Sequence, residues 1–234
     1  MKTRVSDKLV ESIVEEALAD ISNSRSRFDE SYIVQSKKFE MRTETLSEKS
    51  MKQHQVLLDG YVKSLNDVST KLDAATKDGI GSNHAEFRGL KIDESHNLNA
   101  AYLHGLFFDN VGDPNPSIST DSIPHMRLSR DFGDFNRWQK DFIACAMSAR
   151  SGWAVTCFNS FLRRYINVIV DLHDVHVPLG SFPVIVIDCW EHSYINDFGT
   201  DRKSYVYAMM RELNWRIIGE RFERAERISK VVSP

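Results

Sequence analysis

The chain has 234 residues, of which 41% are hydrophobic, enough to bury a sizeable core in one domain or in two small ones. Its 30 basic and 33 acidic residues give a formal net charge of −3, which argues against a protein that binds nucleic acid through bulk positive charge. No stretch reaches the roughly 20 apolar residues of a membrane-spanning helix, and the acidic N-terminal region lacks the apolar run of a signal peptide. We therefore expect a cytoplasmic protein that binds neither nucleic acid nor membranes.

The N-terminal region carries the first helical pattern. Apolar side chains recur at every fourth position over residues 5–22, with acidic residues between them, which predicts an amphipathic helix. Residues 27–45 are polar and weakly periodic, and we interpret them as a linker or extension. A helix with one apolar stripe needs a surface to pack on, either its own domain or dimer mate or a separate protein partner.

Two longer helices are predicted to follow and to form a hairpin. Ser47 is suited to cap the first, and Glu48 lies in its first turn, where negative charge is favourable. This helix is predicted to end at the turn signal of residues 78–81. The second helix runs over residues 93–108. Its predicted buried stripe consists of Leu98, Ala101, Tyr102, Gly105 and Phe108.

The C-terminal half combines helical and strand-like patterns. Helices are predicted over residues 135–149 and 201–218, with residue 227 as an alternative end of the second. Three strands are predicted between them, over residues 153–159, 164–171 and 182–188. The predicted fold is α+β, with a helical hairpin packed on a three-stranded antiparallel sheet that is flanked by helices, preceded by the extra amphipathic helix. The predicted division is an N-terminal extension (1–45), a helical hairpin domain (46–116) and a C-terminal α/β domain (117–234).

One apolar strand pattern ends in a carboxylate, with polar groups close behind it. The strand over residues 184–188 ends in Asp188, and His192 follows four residues later. His54 and His104 lie on the apolar faces of the two hairpin helices, where a single histidine is more typically a hydrogen-bonded core residue. If the hairpin packs against the end of the sheet, three imidazoles and one carboxylate converge. Such a set suits a redox-active first-row metal, because carboxylate favours manganese and iron.

Residues 188–194 read Asp-Cys-Trp-Glu-His-Ser-Tyr, and further short motifs lie around them. They are two histidine-bearing helices (46–66 and 100–108), Phe-Gly-Asp-Phe (132–135), Ser-Gly-Trp (151–153), Arg-Lys-Ser-Tyr (202–205) and Asn-Trp (214–215). In content and order the set resembles the iron/manganese superoxide dismutase family, whose most specific motif is Asp-x-Trp-Glu-His-Ala-Tyr. The resemblance covers about residues 46–228.

The resemblance implies an enzyme that converts superoxide to dioxygen and hydrogen peroxide at a mononuclear metal site. The implied ligands of one iron or manganese ion per chain are His54, His104, Asp188 and His192. The resemblance also implies that Tyr61 lies in the substrate channel and that Trp153 and Trp190 wall the pocket. In the family a glutamine or histidine holds solvent near the metal, and here His173 is favoured over His176 for that role.

The resemblance also bears on assembly and on substrate entry. Glu191 matches a family residue that pairs with the partner subunit, so we expect a homodimer or a dimer of dimers. Arg202 matches a family arginine and is a candidate for guiding the anionic substrate, with a solvated surface role as the alternative. A histidine pair and a second tyrosine found in many family members are both replaced here, by residues 55–60 and by Ile195.

A second hypothesis is a protein with the dismutase fold that serves as a structural or interaction component of a larger assembly, such as a virus particle, with reduced or no activity. It rests on the N-terminal extension, which has no counterpart in the typical family member. Metal content separates the two hypotheses, because only the enzyme needs bound metal. The remaining histidines His84, His96 and His125 are expected in loops or at helix ends, exposed to solvent.

Overall fold

The computed structural model describes residues 31–39, 43–77, 85–112 and 117–231 of the chain, and the helix predicted for residues 5–22 lies outside them. Two long helices come first, α1 (Glu48–Ala74) and α2 (Glu86–Asn110). They are followed by α3 (Ile123–Phe132), α4 (Phe135–Ser148), β1 (Gly152–Asn159), β2 (Arg164–Asp171), β3 (Ser181–Asp188), a 3₁₀ turn (Glu191–Ser193), α5 (Ile195–Phe198), α6 (Arg202–Arg211) and α7 (Trp215–Val231). The α+β fold, with a hairpin packed on a three-stranded antiparallel sheet, is confirmed.

The two hairpin helices begin for different reasons. α1 starts where predicted, because the Ser47 hydroxyl accepts a hydrogen bond from the backbone N–H of Ser50 at 3.2 Å. α2 starts at Glu86, before the predicted residue 93, and has no side-chain cap. Its first turns are held by packing instead, since Leu90 forms a small apolar cluster with residues near the end of α1.

The buried face of α2 differs from the predicted stripe. Leu98 and Tyr102 are 48% and 52% exposed, so the prediction that they are buried is wrong. The buried face instead contains Ala100, Leu103, His104 and Phe107 together with the predicted Phe108. The difference arises because α2 packs on both α1 and β3, so two neighbouring elements select its buried residues.

The helix predicted over residues 201–218 is two helices, α6 and α7, separated by residues 212–214. Two side chains in the break accept hydrogen bonds, one from a distant residue and one from the helix that follows. The Glu212 carboxylate accepts a hydrogen bond from the backbone N–H of Thr45 at 2.8 Å. The side chain of Asn214 accepts one from the backbone N–H of Ile217 at 3.2 Å, as an N-cap does.

The sheet positions the candidate site through its register. The strand order is β2-β1-β3, and β1 is buried along its whole length. Trp153 in β1 lies opposite both Val170 in β2 and Asp188 in β3. Gly152 allows the start of β1 to lie close to the backbone of β2, because a Cβ atom at this position would collide with the Val170 carbonyl oxygen. The start of β1 and the ends of its two neighbours therefore share one edge.

Residues 31–39 pack along the hairpin. The backbone N–H of Tyr32 donates to the Ser69 hydroxyl at 2.6 Å, and that of Val34 donates to the Asn66 amide oxygen at 2.7 Å. The Asn66 amide nitrogen donates back to the Val34 carbonyl at 2.9 Å. This part of the region interpreted as a linker is thus held against α1, while the predicted domain division stays a prediction.

A buried arginine ties the hairpin to the sheet and to the last helix. Arg221 of α7 donates to the Leu106 carbonyl at 2.8 Å, to the Asn110 side chain at 3.3 Å and to the Val184 carbonyl at 3.4 Å. Because α2, β3 and α7 meet on one guanidinium group, the residues they carry keep fixed relative positions. Among the described helices, none combines the length and the apolar character needed to cross a membrane.

Candidate metal centre

Four side chains predicted to bind a metal come together where the hairpin meets the end of β3. His54 lies on α1, His104 on α2, Asp188 at the end of β3 and His192 in the 3₁₀ turn that follows. One ligand-capable atom from each residue lies within 4.8 Å of the others. We refer to these four residues as the donor set.

The position of each member of the donor set follows from the element that carries it. His54 shares the buried face of α1 with Met51 and Leu58, which lie three residues before it and four after it. Asp188 ends an apolar strand, and the turn after it brings His192 back over the Asp188 carboxylate. The packing of α2 on β3 then adds His104 from the other side.

The Asp188 carboxylate is the centre of the donor set. The Nε2 atoms of His54 and His192 each lie 3.1 Å from its Oδ2 atom, and Nε2 of His104 lies 3.9 Å away. The other carboxylate oxygen, Oδ1, accepts the backbone N–H of Trp190 at 2.8 Å. The carboxylate is therefore oriented by its own turn, with one oxygen facing the three imidazoles.

His104 shows that this arrangement suits a cation. Its Nδ1 atom lies 2.7 Å from the Ala100 carbonyl, which can only accept, so Nδ1 carries the proton. Its Nε2 atom is then an unprotonated acceptor that faces the donor set. Nε2 is buried and has no hydrogen-bond partner among the described residues. A buried acceptor without a donor is rare, and a bound metal ion would satisfy it.

The electrostatics of the donor set also favour metal binding. Burial lowers the pKa of His104 to about 3 and also lowers the pKa of His54, so both imidazoles are neutral at neutral pH. Burial alone would raise the pKa of Asp188, but the neighbouring His192 and His54 side chains hold it well below its usual value. The set thus offers neutral nitrogen donors and one anionic oxygen, which suits iron or manganese.

Tyr61 and His173 form a hydrogen bond beside the donor set. The indole Nε1–H of Trp153 can only donate, and it lies 3.0 Å from Nδ1 of His173, so that nitrogen accepts. Nε2 of His173 then carries the ring proton and donates to the Tyr61 hydroxyl at 2.9 Å. Burial lowers the pKa of His173 to about 4, which favours this neutral form. The alternative residue, His176, is 65% exposed and lies near Asp171.

Two tryptophans line the same region. Trp153 is fully buried, and its ring meets that of His104 edge-on, with 4.9 Å between centroids. Trp190 stacks on His173 at 5.3 Å and on His192 at 5.9 Å. Both predicted wall residues therefore lie against the site, while their role in limiting the access of water stays a prediction.

Comparison with known proteins identifies the family. Residues 123–221 match the C-terminal domain of iron/manganese superoxide dismutases. The chain is 36% identical over 172 residues to manganese superoxide dismutase 1 of Halobacterium salinarum, which covers 74% of this chain and 84% of that protein. It is 31% identical over 174 residues to the iron superoxide dismutase of Aquifex pyrophilus, covering 71% and 78%. The chain belongs to the iron/manganese superoxide dismutase family.

Another relative of the same family extends the comparison. The iron superoxide dismutase of Cupriavidus metallidurans is 34% identical over 173 residues, covering 72% of this chain and 83% of that protein. Of these three relatives, one is named for manganese and two are named for iron. The family resemblance predicted from the sequence motifs is confirmed.

Two residues predicted to act in this family member lie outside the donor set. Glu191 is 55% exposed and contacts the Ser151 hydroxyl at 3.3 Å. Arg202 is mostly buried, donates to the backbone carbonyls of Ala149 and Arg150, and lies 3.7 Å from the Glu191 carboxylate. These contacts make Arg202 part of a structural network. The predicted roles of Glu191 in a dimer interface and of Arg202 in substrate guidance stay predictions.

His96 is a residue of the site that sequence reasoning missed. It was expected at a helix end in solvent, but it lies within α2, with its ring centroid 4.8 Å from that of His173. The available signal was its spacing of eight residues from His104, slightly more than two helical turns. Of the other histidines expected in solvent, His125 packs on Phe135 at 4.8 Å, and His84 lies outside the described residues.

Proposed function

We propose that the chain is a superoxide dismutase that binds one iron or manganese ion through His54, His104, Asp188 and His192. The observation that carries the proposal is the buried Nε2 atom of His104, which has no hydrogen-bond partner among the described residues and faces the other donors in a chain of this family. A cation accounts for the whole arrangement, because it would accept a lone pair from every member of the donor set at once.

When bound, an iron or manganese ion supplies one-electron redox chemistry at this position. The overall reaction converts two superoxide anions and two protons into dioxygen and hydrogen peroxide. Within the donor set Asp188 brings the negative charge, which favours the more highly charged state of the ion. The neutral imidazoles of His54 and His104 add donors without adding charge. Asp188 therefore has the largest influence of the four on the redox potential.

Tyr61 is the proposed hydrogen-bond donor to the substrate. Its hydroxyl oxygen accepts a hydrogen bond from the Nε2–H group of His173, so its own proton is free to point toward the pocket. Burial and the nearby Asp188 charge raise the pKa of Tyr61, which keeps the phenol protonated. A protonated phenol can donate a hydrogen bond to a small anion and supply a proton as peroxide forms.

Trp153 and Trp190 are proposed to keep the site dry. Both rings lie against histidines of the site, where they replace water with apolar surface. A lower local dielectric strengthens the interaction between Asp188 and a bound cation.

We further propose that two copies associate through the surface that carries Glu191. Glu191 directly precedes His192 of the donor set and is more than half exposed, so a second copy can reach both residues. Arg202, beside Glu191, would add positive charge near this surface and help to guide the anion. Light scattering of the purified protein tests the association, and we expect the mass of a dimer or of a dimer of dimers.

The dismutase proposal is tested by measuring metal content and superoxide consumption on the same purified samples. We expect the protein to contain iron or manganese and to be active, and His104→Asn to lose both because it removes the unpartnered donor. The matched control is His176→Asn, since His176 is exposed and apart from the donor set and asparagine tolerates its positive φ of 69°. A folded protein that binds neither iron nor manganese would contradict the proposal.

A further inference from the structure

His96 lies on the outer side of the hydrogen bond between Tyr61 and His173. Its ring is 4.8 Å from that of His173, at an angle of 67° between the ring planes, and 6.4 Å from that of Tyr61. The side chain of His96 is 34% exposed, whereas His173 is fully buried. On the α2 side, His96 therefore separates His173 from solvent.

Asp174 connects His96 to the turn that carries His173. Nδ1 of His96 lies 3.5 Å from Oδ1 of Asp174, the residue directly after His173. Leu172, directly before it, has a positive φ of 55°, which a leucine rarely adopts. A strained turn persists when contacts from outside it hold it in place. The contact between His96 and Asp174 is one such tie to α2.

His96 can affect His173 by fixing the orientation of its ring, because it cannot form a hydrogen bond to that ring. Both ring nitrogens of His173 are already used, one by Trp153 and one by Tyr61. His96 thus meets the ring by its edge, and this contact restricts rotation of the His173 ring. Without His96, water could enter beside the ring and compete for its Nε2–H group.

We propose that His96 is a positioning residue of the dismutase, which acts through His173. With its ring and its pairing to Asp174, it holds His173 in the orientation that donates to Tyr61. The inference rests on the proposed function, because the orientation matters for catalysis only if Tyr61 serves the substrate. The hydrogen bonds of His173 can be measured without any catalysis, so the two ideas can fail separately.

The first measurement is NMR of the full-length, metal-free chain, in which no paramagnetic ion broadens the signals. The readouts are the indole N–H signal of Trp153 and the ring ¹⁵N shifts of His173. We expect His96→Ala to move both toward the values of solvent-exposed groups, and Asp174→Asn to move them less. His96→Phe keeps a ring against His173 and should restore most of the native shifts. Unchanged signals in both His96→Ala and Asp174→Asn would overturn the proposal.

The second measurement is activity per bound metal ion in the protein as purified. We expect His96→Ala to lower kcat/KM about 10-fold at unchanged metal content, the low end for residues that orient a site from outside its ligands. His125→Ala is the matched control, because that histidine packs on Phe135 elsewhere in the fold and should leave kcat/KM unchanged. Loss of metal in His96→Ala would also overturn the proposal. An inactive, metal-free wild type whose NMR signals still depend on His96 would instead overturn the dismutase function alone.

Discussion

The donor set and the side chains around it are held in different ways. Three members of the donor set are almost completely buried on elements of the core. The surrounding residues, which we call the outer group, are Tyr61, His96, His173 and Trp190. They are linked by one hydrogen bond and by ring contacts, and several of them reach solvent. Under the proposed function, the donor set holds an ion while the outer group controls protons and access, so substitutions should separate metal content from turnover.

Asp188→Asn should give the largest effect, because it removes the negative charge of the donor set. We expect metal content and activity to fall together by at least about 100-fold, the upper range for damage to a metal site. Elemental analysis and superoxide consumption measure both quantities. Asp134→Asn is the matched control, since Asp134 caps α4 and asparagine caps a helix equally well. Activity lost at full metal content would contradict the assignment of Asp188 to ion binding.

His173→Leu should separate the donor set from the outer group. It removes the acceptor of Trp153 and the donor to Tyr61, so we expect activity to fall about 10- to 100-fold with metal content close to that of the wild type. The amide of His173→Gln offers both N–H donors and a carbonyl acceptor and should recover part of the activity. Metal loss in His173→Leu, measured by elemental analysis, would show that the outer group also holds the ion.

The donor set and the outer group also differ in how well the sequence predicts them. Asp188 and His192 lie four residues apart in a specific motif, and His54 and His104 lie on helices whose apolar faces are visible in the sequence. The sequence alone therefore identifies all four. It does not identify His96, because the contacts of that residue depend on how α2 meets the turn after β2, which joins residues far apart in the chain. The periodicity of α2 does not predict how this helix packs against the turn after β2.

The fold shows the same limit. The three strands were predicted to within one residue at each end, because their β-branched runs end at turn signals. The start of α2 was missed because Leu90 packs against the end of α1. The break before α7 was missed because Glu212 accepts a hydrogen bond from the distant Thr45. Local patterns therefore predicted the elements, while tertiary contacts selected their ends.

The pH dependence of stability sharpens the comparison further. The pKa of His173 is about 4 in the folded protein and about 6.5 in an unfolded chain. Between these values the unfolded chain binds more protons than the folded protein. The contribution of neutral His173 to the free energy of unfolding is therefore fully present above pH 6.5 and is lost as the pH falls toward 4. The free energy of unfolding is expected to fall by about 2 kcal/mol from pH 7 to pH 5 because of His173, which is roughly 30-fold in the unfolding equilibrium constant.

Denaturant unfolding of the metal-free protein at the two pH values measures this effect. His104 and His54 add losses of the same sign, so the contribution of His173 is the difference between wild type and His173→Gln. We expect the variant to lose about 2 kcal/mol less between pH 7 and pH 5. Equal losses in the two proteins would show that His173 titrates normally and is not held neutral by its surroundings.

Tyr61→Phe should have the smallest effect. It keeps the ring but leaves the His173 Nε2–H group without its acceptor, and water can replace the lost hydroxyl because Tyr61 is only partly buried. We therefore expect kcat/KM to fall only about 10-fold at unchanged metal content, as for His96→Ala. If His96 acts through this hydrogen bond, then combining Tyr61→Phe with His96→Ala should cost less than the product of the two single effects. Independent, multiplicative losses would place His96 outside the outer group, because each residue would then serve the reaction by its own route.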